Sequence, residues 1–284
     1  MQFQKAVRKR AKLRLALAGP SGSGKTHSAL LIAAGLGGRI AVIDTERSSA
    51  SLYSHLVDFD TMELNPPFAP ERFIEAIHAA SKAGYSVCII DSITHEWDGS
   101  GGCLESNEEL AQAKYKGNTW AAWNDTTPRH RAFLDAILQS PMHMIVTLRS
   151  KTETVQEGGK VKKLGMKAVQ RDGVEYEFTA VLDLEHEKHY AVATKDRTNL
   201  FTTPHVVTTD TGKRIAAWLD SGAVQKLTER EVVDHKAAIE AASDGDSLRL
   251  AFGTAYQSAK NIGDNDAMAA FQATYDARKQ KVAA

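Results

Sequence analysis

The sequence lacks the features that mark several classes of protein. Its 284 residues include 2 cysteines, Cys88 and Cys103, too few for a disulfide framework and without the spacing of a zinc site. No apolar run approaches the roughly 20 residues that span a bilayer. The basic N-terminal stretch leads straight into a glycine-rich loop, unlike a signal peptide. We therefore expect a soluble, cytoplasmic protein with no membrane partner.

Charge of one sign is also missing, because 35 lysines and arginines balance 35 aspartates and glutamates. With a net charge of zero, binding to nucleic acid has to depend on a local patch rather than on the field of the whole protein. Hydrophobic residues make up 43% of the chain and charged residues 25%, which is typical of a globular protein with a substantial core.

Short apolar runs alternate with segments of helical periodicity through the first two thirds of the chain. The runs predict strands and the periodic segments predict helices, and this alternation is typical of an α/β fold with a mainly parallel central sheet flanked by helices. The predicted strands are Lys12–Ala18, Arg39–Asp44, Ser86–Asp91 and His143–Leu148, followed by a hairpin of Thr179–Leu184 and His189–Lys195. The predicted helices are Gly24–Ala34, Pro70–Ala83 and Pro128–Gln139.

Three further segments define the domain organisation. Ile93–Thr126 and Ser150–Gly173 predict long loops, the second of them flexible, and such loops within a compact domain are usually functional or disordered. After about Ala223 the sequence becomes alanine-rich and helical, and Thr228–Glu231 has the form of a capping box. We therefore predict a core over residues 1–222 and a small helical domain over residues 223–284.

The strongest motif lies between the first predicted strand and the first predicted helix. It has the pattern G-x-x-x-x-G-K-[ST], whose glycines let backbone N–H groups turn toward phosphate oxygens. Lys25 would contact the β- and γ-phosphates, and the Thr26 hydroxyl would bind Mg²⁺. The eight residues predict a phosphate site for ATP: Gly19, Pro20, Ser21, Gly22, Ser23, Gly24, Lys25 and Thr26.

Two carboxylates at strand ends complete this candidate site. Asp91 closes an apolar strand, where α/β sites assemble, and is the predicted second ligand for Mg²⁺. The alternative is an ordinary Asp that caps the following turn. Glu46 lies two residues beyond the strand that ends at Asp44, where it would orient or polarise the attacking water. The alternative for Glu46 is a surface carboxylate paired with Arg47.

Together these motifs resemble the core of RecA-type ATPases, in which a glutamate after the second strand activates water. Three later segments are similar to phage-encoded AAA-type, RecA-like ATPases that act as single-strand annealing proteins: His143–Lys151, Gly173–Phe178 and Lys195–Phe201. The resemblance covers about Leu13–Trp218. It implies a ring or filament of copies in which Lys195 and Arg197 reach the γ-phosphate of ATP held by a neighbouring subunit. A solvated basic strand end is the alternative for these two residues.

The sequence also departs from the RecA pattern. An Asn-Gln pair is expected at the end of the next buried strand, as the link between the γ-phosphate and the DNA loop. This chain has Thr147 and Arg149 in that stretch, and we consider either residue as the sensor of the γ-phosphate. The resemblance therefore leaves open how ATP and DNA are coupled.

A cationic segment lies where RecA-like proteins hold a DNA-binding loop. Between Arg149 and Arg171 the basic residues outnumber the two acids, Glu153 and Glu157, which suits contact with a phosphate backbone. The residues predicted to bind DNA are Lys151, Lys160, Lys162, Lys163, Lys167 and Arg171. Stacking of bases would then have to come from elsewhere, with Trp97, Tyr115, Trp120 and Trp123 as candidates that equally suit core packing.

Three functions follow as hypotheses. The first is an ATP-hydrolysing recombination protein that binds single-stranded DNA and promotes annealing as an oligomer. The second is an annealing module that uses ATP as an assembly switch and turns over little. The third, a small-molecule kinase, ranks last because the polar insertion is rich in lysine rather than arginine. For the helical tail, which resembles tails of several phage recombination proteins, we consider a single-strand-binding protein as the partner.

Overall fold

We describe a computed structural model of the chain, which covers residues 8, 10–157, 160–223 and 226–282, with the backbone alone for 152–166 and 281–282. Contacts divide the chain into two compact units. One is Lys12–Leu219, and the other joins the N-terminal segment to Asp220–Ala284. No helix among the described residues is long and apolar enough to cross a membrane.

The larger unit is built on one sheet. Its strands in chain order are β1 (Arg14–Gly19), β2 (Ile40–Asp44), β3 (Asp60–Glu63), β4 (Val87–Asp91), β5 (His143–Glu157), β6 (Lys160–Ala168), β7 (Ala180–Leu184), β8 (Tyr190–Asp196) and β9 (His205–Val206). They lie in the order β3-β2-β4-β5-β1-β7-β8-β9, with β6 paired to the extension of β5. Pairing is parallel from β3 to β7 and antiparallel for β8 and β9. The predicted α/β class and its mainly parallel sheet are confirmed.

Helices cover both faces of this sheet. In chain order they are α1 (Lys25–Leu36), α2 (Pro70–Lys82), α3 (Thr94–Asp98), α4 (Cys103–Lys114), α5 (Thr119–Gln139) and α6 (Thr209–Asp220). Alternate residues of a strand point to opposite faces. Leu15 and Leu17 of β1 accordingly pack in one core with Leu30 of α1, whereas Ala16 packs in a second core with Phe133 of α5. The sheet is therefore the middle layer of three, as expected for strands that are apolar on both faces.

Two predicted loops prove to be regular structure. Most of Ile93–Thr126 is helical, formed by α3, α4 and the start of α5. Asn118 caps α5 by accepting a hydrogen bond from the N–H of Ala121 at 3.1 Å. The helix then continues through Pro128, which removes one backbone hydrogen bond, because Thr126, His130 and Phe133 bury its inner face. The predicted start at Pro128 was therefore wrong.

The predicted flexible loop Ser150–Gly173 is mostly a β-hairpin. β5 continues past the sheet and pairs with β6 in antiparallel register from Ser150 opposite Ala168 to Glu157 opposite Lys160. The valines and threonines of this segment favour extended backbone. The loop prediction depended on the polarity of the segment, which comes largely from its lysines, and so missed this preference. The later hairpin of β7 and β8 was predicted correctly.

The smaller unit contains α7 (Glu229–Ala241), α8 (Gly245–Ile262) and α9 (Asn265–Val282). Its core joins Ile239, Leu248 and Phe271, one from each helix. The predicted capping box is confirmed, since the Thr228 side chain accepts from the N–H of Glu231 and the Glu231 carboxylate accepts from the N–H of Thr228. Gly263 ends α8 in the left-handed conformation.

Candidate functional site

The loop between β1 and α1 is shaped to receive an anion. Gly22 has φ 78° and Gly24 has φ 85°, a left-handed backbone that a side chain would strain. Gly24 is the N-cap residue of α1 and has no side chain. No N-cap side chain therefore accepts a hydrogen bond from the first N–H groups of the helix. A helix N-terminus that leaves its N–H groups open in this way favours a phosphate.

Lys25 folds back over this loop. Its Nζ atom donates to the carbonyl oxygens of Gly19 at 3.0 Å and Pro20 at 2.8 Å. Burial lowers the pKa of Lys25, and the nearby charges of Asp91 and Glu46 oppose that effect. The ammonium group is thus held at the mouth of the loop by neutral carbonyl oxygens, which an anion could replace as its partners.

Asp91 lies at the end of β4 and is almost fully buried. Its Oδ2 atom accepts a hydrogen bond from the Thr26 hydroxyl at 2.6 Å, and its Oδ1 atom accepts one from the Thr147 hydroxyl. Burial raises the pKa of the Asp91 carboxyl, while the two hydrogen bonds act in the opposite direction. The structure therefore brings together Thr26 and Asp91, the two predicted Mg²⁺ ligands, whereas the Thr147 side chain is committed to Asp91.

The turn after β2 places Glu46 beside them. The carboxylate of Asp44 accepts from the N–H of Glu46 at 2.6 Å and from that of Ala50 at 3.0 Å. The hydroxyl of Thr45 donates to the carbonyl oxygen of Asp91 at 3.0 Å, which ties this turn to the end of β4. These bonds fix the backbone at Glu46 without help from its own side chain.

The Glu46 carboxylate forms a bidentate ion pair with Arg149 rather than pairing with Arg47. Nε of Arg149 donates to Oε1 at 2.8 Å, and a second guanidinium nitrogen donates to Oε2. The Ser92 hydroxyl adds a bond to Oε1 at 3.3 Å. Burial by itself raises the pKa of Glu46, but the bonds and charge of Arg149 outweigh it, and the pKa lies below its ordinary value.

These groups line one cleft of about 940 Å³ at the carboxyl ends of the parallel strands. Its lining includes residues of the glycine-rich loop, Glu46, Asp91 and Arg149, which were among the predicted site residues. It also includes residues that no motif singled out: His27, Ser49, Tyr53, His189, Val206 and Val207. They come from separate elements and follow no fixed spacing, so the sequence carries no signal for them.

Lys195 and Arg197 do not line this cleft. β8 runs against β7, so Lys195 pairs with Val181 and lies several residues from the strand ends that form the cleft. Nζ of Lys195 donates to the carbonyl oxygen of Tyr176 at 2.6 Å, and Arg197 donates to the same oxygen at 3.3 Å. Within one copy of the chain, both cations are therefore remote from the phosphate loop.

The predicted DNA-binding residues follow the hairpin of β5 and β6. Lys151 is exposed and lies opposite Lys167, whose ammonium group pairs with Asp172 at 2.8 Å. Arg171 follows the hairpin, and its guanidinium lies 5.8 Å from the ring centroid of Trp123. Lys160, Lys162 and Lys163 belong to β6, but their side chains lie outside what the structure describes.

A second buried polar cluster links α3 to α4, α5 and the base of the hairpin. The Glu96 carboxylate accepts from the Cys103 thiol at 3.0 Å, contacts Nδ1 of His130 at 3.0 Å and accepts from the Gln170 amide at 3.3 Å. Burial and the charge of Glu96 raise the pKa of the Cys103 thiol, so it remains a proton donor. Hydrogen bonds to Glu96 thus connect α3 with α4, α5 and the residue Gln170 after the hairpin.

Fold and cleft together define a P-loop nucleoside triphosphatase core: a parallel sheet with the phosphate loop after β1 and a buried carboxylate at the end of β4. Comparison with known families then places the chain within this class. A family model described as an AAA domain matches residues 11–217, and the chain belongs to that family. A comparison with curated proteins finds no match.

Proposed function

We propose that this protein hydrolyses ATP, binds single-stranded DNA and promotes the annealing of strands as an oligomer, in the manner of the phage recombination proteins that its sequence resembles. One observation carries the proposal. β5 runs without a break from Thr147, which contacts Asp91, through Arg149, which contacts Glu46, into the basic hairpin. A single strand therefore connects the ATP cleft to a segment in which basic residues outnumber acidic ones.

The cleft residues fit Mg²⁺ and ATP by their own geometry. The left-handed glycines leave room for phosphate oxygens, and the Thr26 hydroxyl already lies within 2.6 Å of an Asp91 oxygen. Thr26 and Asp91 would hold Mg²⁺, which neutralises charge on the phosphates. Lys25 would exchange its carbonyl partners for phosphate oxygens.

Glu46 is the proposed general base. Its carboxylate would accept a proton from water as the water oxygen bonds to the γ-phosphorus and the bond to the bridging oxygen of ADP breaks. While Glu46 is paired with Arg149, its pKa is lowered and the carboxylate is held in its ionised form at neutral pH. Arg149 would have to release the carboxylate for this step, and in doing so its guanidinium becomes free to contact the γ-phosphate. Arg149, rather than Thr147, is thus the proposed sensor.

The same ion pair favours a second candidate function. Arg149 occupies both oxygens of Glu46, so the candidate base is engaged while the pair persists. A protein with this arrangement would hydrolyse ATP slowly and would use nucleotide binding mainly as a switch for assembly on DNA. Both candidates require a nucleotide in the cleft, and they differ in turnover.

The experiment is to measure ATPase rate and particle size with and without a single-stranded oligonucleotide. Wild-type protein is expected to hydrolyse ATP faster when the strand is added, and Lys25→Ala is expected to lose hydrolysis. Lys213→Ala, which removes an exposed lysine of α6, is the control and should behave like the wild type. Binding of the strand without a rise in rate would favour the switch. A protein that neither binds the strand nor responds to it would contradict the proposal.

A further inference from the structure

Trp120 is the most exposed large hydrophobic side chain among the described residues, with 87% of its surface open. It lies in the first turn of α5. Exposure of an indole costs free energy that burial would recover, because Trp carries one of the largest apolar surfaces of any side chain. A single exposed hydrophobic residue is common on protein surfaces, so the case for a partner at Trp120 depends on what surrounds it.

The face of α5 that follows Trp120 leads directly to the basic hairpin. Trp123 and Thr127 lie three and seven residues further along, on the same side of the helix. The guanidinium of Arg171 lies 5.8 Å from the Trp123 ring centroid, and it donates to the Thr127 hydroxyl at 3.4 Å. Aromatic surface and positive charge are therefore neighbours on this face.

The base of the hairpin places two cations opposite each other. Lys151 and Lys167 are directly opposite each other in the antiparallel pair, an arrangement in which like charges repel. Asp172 pairs with Lys167, whereas Lys151 has no partner among the side chains that the structure describes. A phosphate group near the two lysine ammonium groups would relieve this repulsion, so the charge pattern favours an anionic chain as the partner.

Contacts with other aromatic side chains hold Trp123 in place. Trp97 stacks on Trp123 with centroids 5.5 Å apart, and the edge of His130 meets Trp97 at 5.3 Å. His130 is in turn bound to Glu96, which lies on α3, five residues after Asp91. These contacts fix the Trp123 ring, which therefore loses little conformational freedom when a ligand binds beside it.

We propose that Trp120, continued by Trp123, is a platform on which bases of single-stranded DNA stack while their phosphates lie against Lys151 and Arg171. This inference rests on the proposed function, which it deepens by naming the surface that contacts the bases. A platform of this kind accepts any base, since every base has a flat π-face. It also accounts for a basic hairpin that carries no aromatic residue of its own.

The test uses a fluorescein-labelled oligothymidylate and a matched strand in which the bases are replaced by abasic sites. Anisotropy titrations over a range of salt concentrations compare the wild type with Trp120→Ala, Trp120→Phe and Leu250→Ala. Leu250 is the control because it is 73% exposed but lies on α8. Light scattering records particle size for each variant.

Trp120→Ala is expected to bind the oligothymidylate about 5- to 100-fold more weakly, the range for loss of one stacked base. Its salt dependence should match that of the wild type, since stacking releases no counterions. Trp120→Phe should recover much of the affinity, and Leu250→Ala should bind normally. On the abasic strand, Trp120→Ala and the wild type should bind equally.

Two results would overturn the platform while leaving the proposed function intact. One is wild-type affinity of Trp120→Ala for the oligothymidylate. The other is a smaller particle for Trp120→Ala with equal losses on both strands, which would place Trp120 in a contact between copies. Failure of the wild-type protein to bind either strand would instead count against the proposed function itself.

Discussion

The ATP cleft and the basic hairpin are built on the same strand, β5, but by opposite means. In the cleft, Asp91 is buried and accepts hydrogen bonds from Thr26 and Thr147, and Glu46 is clasped by Arg149. In the hairpin, cations oppose one another, and Lys151 is exposed and unpaired among the described side chains. The geometry of the cleft is thus set by contacts within the protein, and we propose that the charge of the hairpin is balanced by single-stranded DNA.

The largest expected effect concerns the assembly of the cleft from two copies. Arg197→Ala should lower the ATPase rate by about 10³-fold, the lower range for loss of an arginine finger, with little change in nucleotide affinity. Mixing Arg197→Ala with Lys25→Ala should restore part of the rate, because one mixed interface then has both an intact loop and an intact finger. Arg214→Ala, on α6, is the control. Normal hydrolysis by Arg197→Ala would mean that the cleft is complete within one copy.

Glu46→Gln tests whether the clasped carboxylate is the base. The rate should fall by about 10²-fold or more, as for removal of a general base, while ATP binding persists. Nucleotide affinity by fluorescence and turnover by phosphate release separate the two effects. Glu63→Gln, at the exposed edge strand β3, serves as the control. If turnover is unchanged, Glu46 is only the partner of Arg149 and the switch function gains support.

Replacing Lys160, Lys162 and Lys163 by Ala tests whether the hairpin contacts DNA independently of the cleft. The slope of log affinity for single-stranded DNA against log salt should become shallower by about 2, since each phosphate contact contributes roughly 0.7 for a single strand. The ATPase rate without DNA should stay at the wild-type value. Lys213, Lys260 and Lys279, replaced together, are the control. An unchanged slope would exclude these lysines from the DNA contact.

The smallest effect concerns the pH dependence of stability. Arg149 holds the pKa of Glu46 below its ordinary value, so the pair stabilises the fold above the unfolded-state pKa of Glu46. That stabilisation is lost as the pH falls through the lower, folded-state pKa. In Arg149→Ala burial remains as the main influence and raises the pKa of Glu46, so protonation of Glu46 should no longer cost stability, and this variant should lose less stability on acidification than the wild type. Urea unfolding across the acid range measures this difference, and coincident curves would contradict it. When Glu46→Gln is introduced into both the wild type and Arg149→Ala, the two proteins should lose stability to acid in the same way.

How well each part was predicted depends on the range of the interactions that form it. The phosphate loop is eight contiguous residues whose backbone angles depend on their own glycines, and it was placed correctly. The helices α3 and α4 and the first part of α5 were assigned to a loop because Ile93–Thr126 is long and rich in glycine around Gly99–Gly102. What stabilises these helices is the contact of Glu96 with Cys103, His130 and Gln170, residues up to 74 positions apart.

The sequence by itself determined the class of this protein, since a strand, the glycine-rich loop and a helix specify a phosphate site through local geometry alone. It also determined the α/β order of the core, because burial on both faces leaves a continuous apolar pattern. Tertiary structure alone decided that Glu46 pairs with Arg149, that Thr147 serves Asp91, and that Lys195 and Arg197 lie away from the cleft. Those outcomes depend on which strands become neighbours and in which direction they run, and no local pattern of residues records that.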